Sequence, residues 1–197
     1  MNVLTRRLAA LIFSLGLATA AVAAAADSAP KVKFATTAGD FVIEVYPDKA
    51  PKTVENFLQY VKDKHYDGTI FHRVINNFMV QGGGYDTHYG QKPTRPPVPH
   101  EGREALAKGG EKNVVGTVAM ARTNDPNSAT SQFFINVKDN TFLDPSPQSM
   151  GYTVFGKVVS GMDVIDRIKS MPTGAGGPFP SDVPRTPVVI TSATLVK

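Results

Sequence analysis

Cysteine and tryptophan are both missing from the 197-residue chain. Without cysteine the chain can form no disulfide bond, use no thiol nucleophile and carry no lipid-modified cysteine. Its four histidines, at positions 65, 72, 88 and 100, lack zinc-type spacing. The sequence therefore implies no metal site and no cofactor.

Acidic residues are missing from the first 26 positions, where Arg6 and Arg7 precede the run LAALIFSLGLATAAVAAAA. A basic start, an uncharged stretch and small residues at its end are typical of a secretory signal peptide. We expect residues 1–26 to be this signal and residues 27–197 to be the mature domain. The alternative is a retained membrane anchor, because the uncharged run is 19 residues long and could barely span a bilayer.

Beyond residue 26 the chain has little net charge. The whole sequence contains 21 basic and 17 acidic side chains, and two of the basic ones belong to the leader, which leaves 19 against 17 and a net charge of +2. The basic residues are scattered, so no nucleic-acid partner is predicted. The remaining length suits one domain with its own core.

Strand-like segments dominate this domain. Residues 31–46, KVKFATTAGDFVIEVY, predict a hairpin around Ala38, Gly39 and Asp40. Further strands are predicted at residues 69–75, 78–81, 114–121, 132–137, 152–159 and 188–195. Many short strands with few helices predict a mainly β sandwich or closed barrel.

Two segments favour helix. The first begins at Pro51 and has an apolar face formed by residues 54, 57, 58 and 61. The second covers residues 160–170, where Ser160 and Asp163 have capping-box spacing. Residues 85–112 are rich in proline and glycine and predict a long surface loop.

Three sequence blocks resemble the signature blocks of the cyclophilins, which are peptidyl-prolyl cis-trans isomerases. They are FHRVINNFMVQGG (71–83), MARTNDPNSATSQFFI (120–135) and FLDPSPQSMGYTVFGKVVSGMDVIDRI (142–168). The pattern is most similar to the bacterial periplasmic branch and covers nearly all of residues 31–197. The resemblance implies a closed eight-stranded antiparallel β-barrel capped by two α-helices, with the active site on its outer face.

The resemblance also explains a charged residue, Arg73, in the apolar first block. It implies that Arg73 is the catalytic arginine and that Gln81 contacts the substrate backbone and orients Arg73. Rotation about a peptide bond has a barrier of about 18–20 kcal/mol because the nitrogen lone pair is delocalised. The twisted transition state regains that lone pair, so a donor aimed at it binds the transition state selectively. Arginine carries its positive charge at any physiological pH and can be this donor without transferring a proton.

Substrate-binding positions follow from the same match. The proline pocket is assigned to Phe78, Met79, Phe134 and Leu143, and the edge that pairs with the substrate peptide to Ala121, Arg122 and Thr123. His72, Gln132, Phe142 and Tyr152 border the site. Arg122 stands where the family often has asparagine, Phe142 where many members have tryptophan, and Tyr152 where they have histidine. Phenylalanine lacks the indole N–H donor, so cyclosporin-type inhibitors are expected to bind weakly.

The expected partners are unfolded or flexible proline-containing polypeptides that are being exported, and the expected location is the periplasm. No stable membrane association is expected after signal cleavage, and no repeat or coiled coil suggests more than a monomer. The alternative function is a chaperone module that binds proline-containing segments without useful turnover. A nucleic-acid-binding barrel is a third reading, but no basic aromatic stripe favours it.

Overall fold

The computed structural model describes residues 29–196. The predicted signal peptide and its junction with the domain lie outside these residues. Ten strands are present in the described part: β1 (Lys31–Thr36), β2 (Gly39–Val45), β3 (Arg73–Ile75), β4 (Met79–Gly82), β5 (Thr117–Met120), β6 (Phe133–Asn136), β7 (Val154–Ser160), β8 (Thr173–Gly176), β9 (Phe179–Pro184) and β10 (Ile190–Val196). The helices are α1 (Pro51–Lys62), α2 (Gly102–Ala107) and α3 (Met162–Lys169).

Eight of these strands form one curled sheet in the order β10-β1-β2-β7-β5-β6-β4-β3, and every ladder is antiparallel. The mainly β prediction is confirmed, and each predicted strand overlaps an observed one. An isolated bridge between Ile70 and Val189 joins the segments that lead into the two end strands. Full closure of the barrel stays a prediction.

The two faces of the sheet have different roles, because successive side chains of a strand point to opposite faces. On β6, Phe133 and Ile135 belong to the main core, which also contains the aromatic residues of β1, β2 and α1. Phe134, between them, belongs to a second, smaller cluster that also includes Met79 of β4 and Val154 of β7. The smaller cluster lies on the face away from the core and forms the base of the candidate site.

Helices α1 and α3 are capped at their N-termini in different ways. Helix α1 begins at Pro51 as predicted, and the buried Glu101 carboxylate accepts hydrogen bonds from the backbone N–H groups of Lys52 (3.1 Å) and Thr53 (2.8 Å). The capping box predicted for α3 is wrong, because Ser160 ends β7 and Gly161 is the N-cap. Gly161 has φ +84°, and a Cβ there would lie 2.5 Å from the Asp40 carbonyl oxygen, so glycine is required at this turn.

Three elements were not predicted, namely α2, β8 and β9. The predicted loop at residues 85–112 contains α2, whose sequence GREALA is made largely of good helix formers and is followed by Gly109 with φ +76°. A two-stranded hairpin, β8–β9, follows α3 and packs beside β3. Both predicted helices are present, as α1 and α3, and α2 is a third helix within the described residues. Within residues 29–196, no helix has the length and apolar character needed to cross a bilayer.

Candidate active site

A cavity of about 300 Å³ opens on the outer face of the sheet. Strands β3, β4 and β6 form its base, and the segments after β5, before β7 and at the start of β9 form its rim. Its lining includes eleven of the predicted site residues: His72, Arg73, Phe78, Met79, Gln81, Ala121, Arg122, Gln132, Phe134, Leu143 and Tyr152. The three sequence blocks therefore meet in one concave surface.

The apolar part of the cavity is formed by the four residues assigned to the proline pocket. Met79 and Phe134 are only 2% and 4% exposed, so they form a fixed floor. Phe78 and Leu143 are half-buried and form lips of the pocket. The backbone carbonyl of Phe78 accepts hydrogen bonds from Val137 N (3.1 Å) and Asn140 Nδ2 (2.8 Å). The lip that Phe78 forms is therefore anchored to the turn that carries Leu143.

Arg73 stands at the start of β3, directly opposite Gln81 of β4 in the ladder. Its guanidinium carbon lies 6.0 Å from the centre of the Phe78 ring. Among residues 29–196 no carboxylate forms an ion pair with Arg73. Gln81 Nε2 donates a hydrogen bond to Gln132 Oε1 (3.0 Å), which fixes the amide beside the arginine. An exposed, unpaired guanidinium thus lies at the edge of an apolar pocket.

His72 is 3% exposed and lies between two aromatic rings, Tyr85 at 4.7 Å and Phe179 at 5.2 Å between centroids. Burial, reinforced by the positive charge of Arg73, lowers the pKa of His72 to about 4. The ring is therefore neutral at pH 7. Its Nδ1 atom has no hydrogen-bond partner among the described residues.

Arg122 lines the cavity and joins two segments of its rim. Its Nε and Nη2 atoms donate to the carbonyl of Gly151 (3.1 and 2.8 Å), and Nη1 donates to the carbonyl of Thr123 (2.8 Å). The guanidinium also lies over the Tyr152 ring at 4.6 Å, and Tyr152 in turn packs edge-on against Phe134. Arg122 therefore ties the segment after β5 to the segment before β7.

Two predicted residues lie outside this cavity. Thr123 lines a neighbouring hollow that shares Gln81, Ala121, Arg122 and Gln132 with the main one. Phe142 is 72% exposed and stacks on the outer side of Phe78, with ring centres 5.9 Å apart. Both residues lie beside the cavity rather than in its wall.

Two lining residues were missed by the sequence analysis, namely Tyr85 and Phe179. Phe179 follows the turn dipeptide Gly177-Pro178, which is the local sequence signal for this hairpin. Tyr85 lies two residues after the first block, at the start of the predicted loop. Neither residue lies in a run with strand periodicity, so pattern alone did not identify them.

Comparisons with known proteins identify the family of the chain. The sequence model of the family "Cyclophilin type peptidyl-prolyl cis-trans isomerase/CLD" matches residues 31–195. Peptidyl-prolyl cis-trans isomerase A of Dickeya dadantii is 48% identical over 192 residues, 98% of either chain. Peptidyl-prolyl cis-trans isomerase B of Escherichia coli is 52% identical over 167 residues, 83% of this chain and 98% of the relative.

A solved structure shares the fold. It is a cyclophilin-type isomerase of Cryptosporidium parvum, determined in the presence of the dipeptide Ala-Pro, with a TM-score of 0.67 and 24% identity. The match covers 85% of this chain and 99% of that one. From the family match and the two bacterial relatives it follows that the chain belongs to the cyclophilin-type peptidyl-prolyl cis-trans isomerases.

Proposed function

We propose that this isomerase accelerates cis/trans exchange of X-Pro bonds in exported, folding polypeptides, and that Arg73 stabilises the twisted amide in the transition state. The observation that carries the proposal is the unpaired guanidinium of Arg73 at the edge of the apolar pocket. A pocket that only captured proline would not need an unpaired charge at this place. The chaperone alternative therefore ranks second.

The chemistry requires only selective binding. Cis and trans X-Pro bonds differ by about 0.5–1 kcal/mol, yet exchange takes tens to hundreds of seconds, so the barrier is what the enzyme has to lower. The planar amide nitrogen offers no lone pair, whereas the twisted nitrogen does. A guanidinium N–H that reaches this nitrogen gains a hydrogen bond only in the transition state. The step moves no proton and forms no covalent bond to the enzyme.

The remaining residues would hold the substrate on either side of the rotating bond. The proline ring is assigned to the pocket of Phe78, Met79, Phe134 and Leu143, whose rigid floor fits a small apolar ring. The residue before proline is assigned to the edge at Ala121–Thr123, where an extended peptide can lie beside the strand. Gln81 and Gln132 supply amide groups between these two regions.

The cellular setting of the proposal depends on the leader. If residues 1–26 direct export, the substrates are polypeptides that fold in the periplasm, where prolyl isomerisation is a slow step. The wild-type leader fused to a reporter that is active only outside the cytoplasm tests this part. Substitution of Arg6 and Arg7 by glutamate provides the export-deficient control.

The mechanism is tested with purified residues 27–197 and a short Ala-Pro peptide, whose exchange is followed by NMR without a coupling protease. We expect Arg73→Ala to lower kcat/KM by about 100-fold or more, the loss typical for a group that stabilises the transition state. Arg73→Lys should retain part of the activity, because the charge remains while the planar fork is lost. Arg185→Ala removes an exposed arginine outside the cavity and serves as the control.

Peptide binding separates the two candidate functions. A folded Arg73→Ala chain that binds the peptide as tightly as the parent but no longer accelerates exchange supports the role of Arg73. If the parent binds the peptide without accelerating its exchange, the chaperone alternative holds. Circular dichroism of each variant verifies the fold.

A further inference from the structure

The β8–β9 hairpin brings an aromatic residue into the cavity that the proposed mechanism does not use. Phe179, the first residue of β9, lines the same cavity as Arg73 and the proline pocket. The hairpin packs beside β3, the strand that begins with Arg73. Phe179 therefore extends the cavity beyond the catalytic arginine.

Phe179 is part of a packed aromatic cluster rather than a loose side chain. Its ring meets Tyr85 edge-on at 5.0 Å and lies 5.2 Å from the His72 ring. The hairpin turn rests on Tyr89, because a Cβ at Gly177 would overlap that ring. His72 is neutral at pH 7, so the cluster presents an uncharged aromatic surface to the cavity.

The order of the strands places this cluster on the far side of the site from the Ala121–Thr123 edge. That edge follows β5, and β6, β4 and β3 come next in the sheet before the hairpin is reached. Strands lie about 4.8 Å apart, so the distance from β5 to β3 is about 14 Å. An extended peptide rises about 3.3 Å per residue and crosses this distance with four to five residues. A substrate chain that leaves the Ala121 edge, fills the proline pocket and continues across β4 towards β3 would end beside Phe179.

We propose that Phe179, together with Tyr85 and His72, forms a subsite for an aromatic or large aliphatic side chain on the carboxyl-terminal side of the substrate proline. The inference rests on the proposed function, in which the residue before proline lies at the Ala121–Thr123 edge. Such a subsite favours apolar side chains because each buries surface against the half-buried rings of Tyr85 and Phe179, which the buried His72 ring supports from behind. It makes Phe179 a specificity-determining residue for the isomerase.

The test uses residues 27–197 and the peptides Ala-Ala-Pro-X-Ala, where X is phenylalanine, leucine or alanine, followed by NMR exchange. We expect the parent to prefer phenylalanine over alanine at least fivefold in kcat/KM. Phe179→Ala should lower kcat/KM for the phenylalanine peptide at least five times more than for the alanine peptide. Phe179→Leu should preserve the preference for leucine over alanine. Pro180→Ala, an exposed change in the same strand, is the control and should leave the preference as in the parent.

Other results overturn the inference. An equal loss on all three peptides would show that Phe179 only supports the fold of the hairpin. A changed preference for the residue before proline, measured with Ala-X-Pro-Ala-Ala, would place the subsite on the wrong side of the bond. Dissociation constants of the same peptides measure binding at the subsite independently of turnover. A parent without isomerase activity would therefore refute the proposed mechanism, and the binding data would still test the subsite. Equal binding of the phenylalanine and alanine peptides would refute the subsite.

Discussion

His72 is a histidine that folding keeps uncharged. Its burial and the neighbouring Arg73 lower its pKa from 6.5 to about 4. Between these two values the unfolded chain binds a proton that the folded chain does not bind. Folding stability is therefore fully present above pH 6.5 and decreases as the pH falls towards 4. Burial also lowers the pKa of His65 and His100, which act in the same direction.

We expect the free energy of unfolding to fall by about 2 kcal/mol from His72 alone between pH 7 and pH 5. Urea unfolding at both pH values measures this difference. Glutamine cannot titrate, so the unfolding free energy of His72→Gln should change by about 2 kcal/mol less between pH 7 and pH 5 than that of the parent. The remaining change is due to His65 and His100. An unchanged pH dependence in this variant would contradict the assignment.

The side chain at position 142 is expected to affect how tightly the protein binds cyclosporin. The chain lacks tryptophan, and Phe142 is 72% exposed, so a larger ring can be accommodated there. Phe142→Trp adds an indole N–H donor, and one hydrogen bond contributes about 0.5–1.5 kcal/mol. We expect the variant to bind cyclosporin up to about tenfold more tightly than the parent, as measured by calorimetry. Leu195→Trp, on β10 at the opposite end of the sheet, is the control, and tight binding by the parent itself would contradict the prediction.

The three blocks predicted correctly which residues come together in one cavity. Arg73, Gln81 and the proline-pocket residues line one cavity because β3, β4 and β6 are adjacent strands. Phe179 could not be predicted in the same way, because it reaches the cavity through the tertiary packing of a hairpin. The position of Phe142 outside the cavity depends on the conformation of a turn, which the motif does not specify.

At the scale of elements, the turn that carries Leu143 is held by a buried amide network. Asn140 Nδ2 donates to the carbonyl of Phe78 and to Asn136 Oδ1, both at 2.8 Å. Asn136 Nδ2 donates to Thr117 Oγ1 (3.0 Å). One side chain thus connects the turn with one lip of the pocket and with β6.

Asn140→Asp should break this connection, because an ionised carboxylate cannot donate and would face two acceptor oxygens. We expect a loss of about 3 kcal/mol in the free energy of unfolding and a decrease in kcat/KM for an Ala-Pro peptide. Both losses should become smaller at low pH, where a protonated carboxyl can donate one hydrogen bond. Asn76→Asp is the control, since the exposed Asn76 side chain acts there only as an acceptor. Equal effects of the two substitutions would contradict the role of the network.

The helices and strands differ in how well they can be predicted from their own sequences. Helix α1 has an apolar face of three turns and a proline at its first position, and both features are local. Its cap is not local, because Glu101 comes from a segment about fifty residues away. Helix α2 is too short for a periodic signal, and half of residues 173–184 in the β8–β9 hairpin are glycine or proline. Only their packing, of α2 beside β7 and of β9 beside β3, shows that they are ordered elements.

At the scale of the whole molecule, surface charge contributes little to the stability of the fold. Each of the seven ion pairs found within residues 29–196 joins side chains that are at least 27% exposed. Exposed pairs contribute about 0–1 kcal/mol each and are screened by salt. We expect the free energy of unfolding in urea to change by less than about 1 kcal/mol between 50 and 500 mM NaCl. A loss of several kcal/mol would show that the charges matter more than their exposure indicates.

The alternation of core and site residues along the same strands has a consequence for how the protein can evolve. Phe134 can be exchanged without touching the core, because Phe133 and Ile135 point the other way. Inserting or deleting one residue within β6 would instead turn core residues into the cavity and site residues into the core. Substrate preference is therefore free to drift by point substitution, whereas changes of length should be confined to the connections between strands, as at the β8–β9 hairpin.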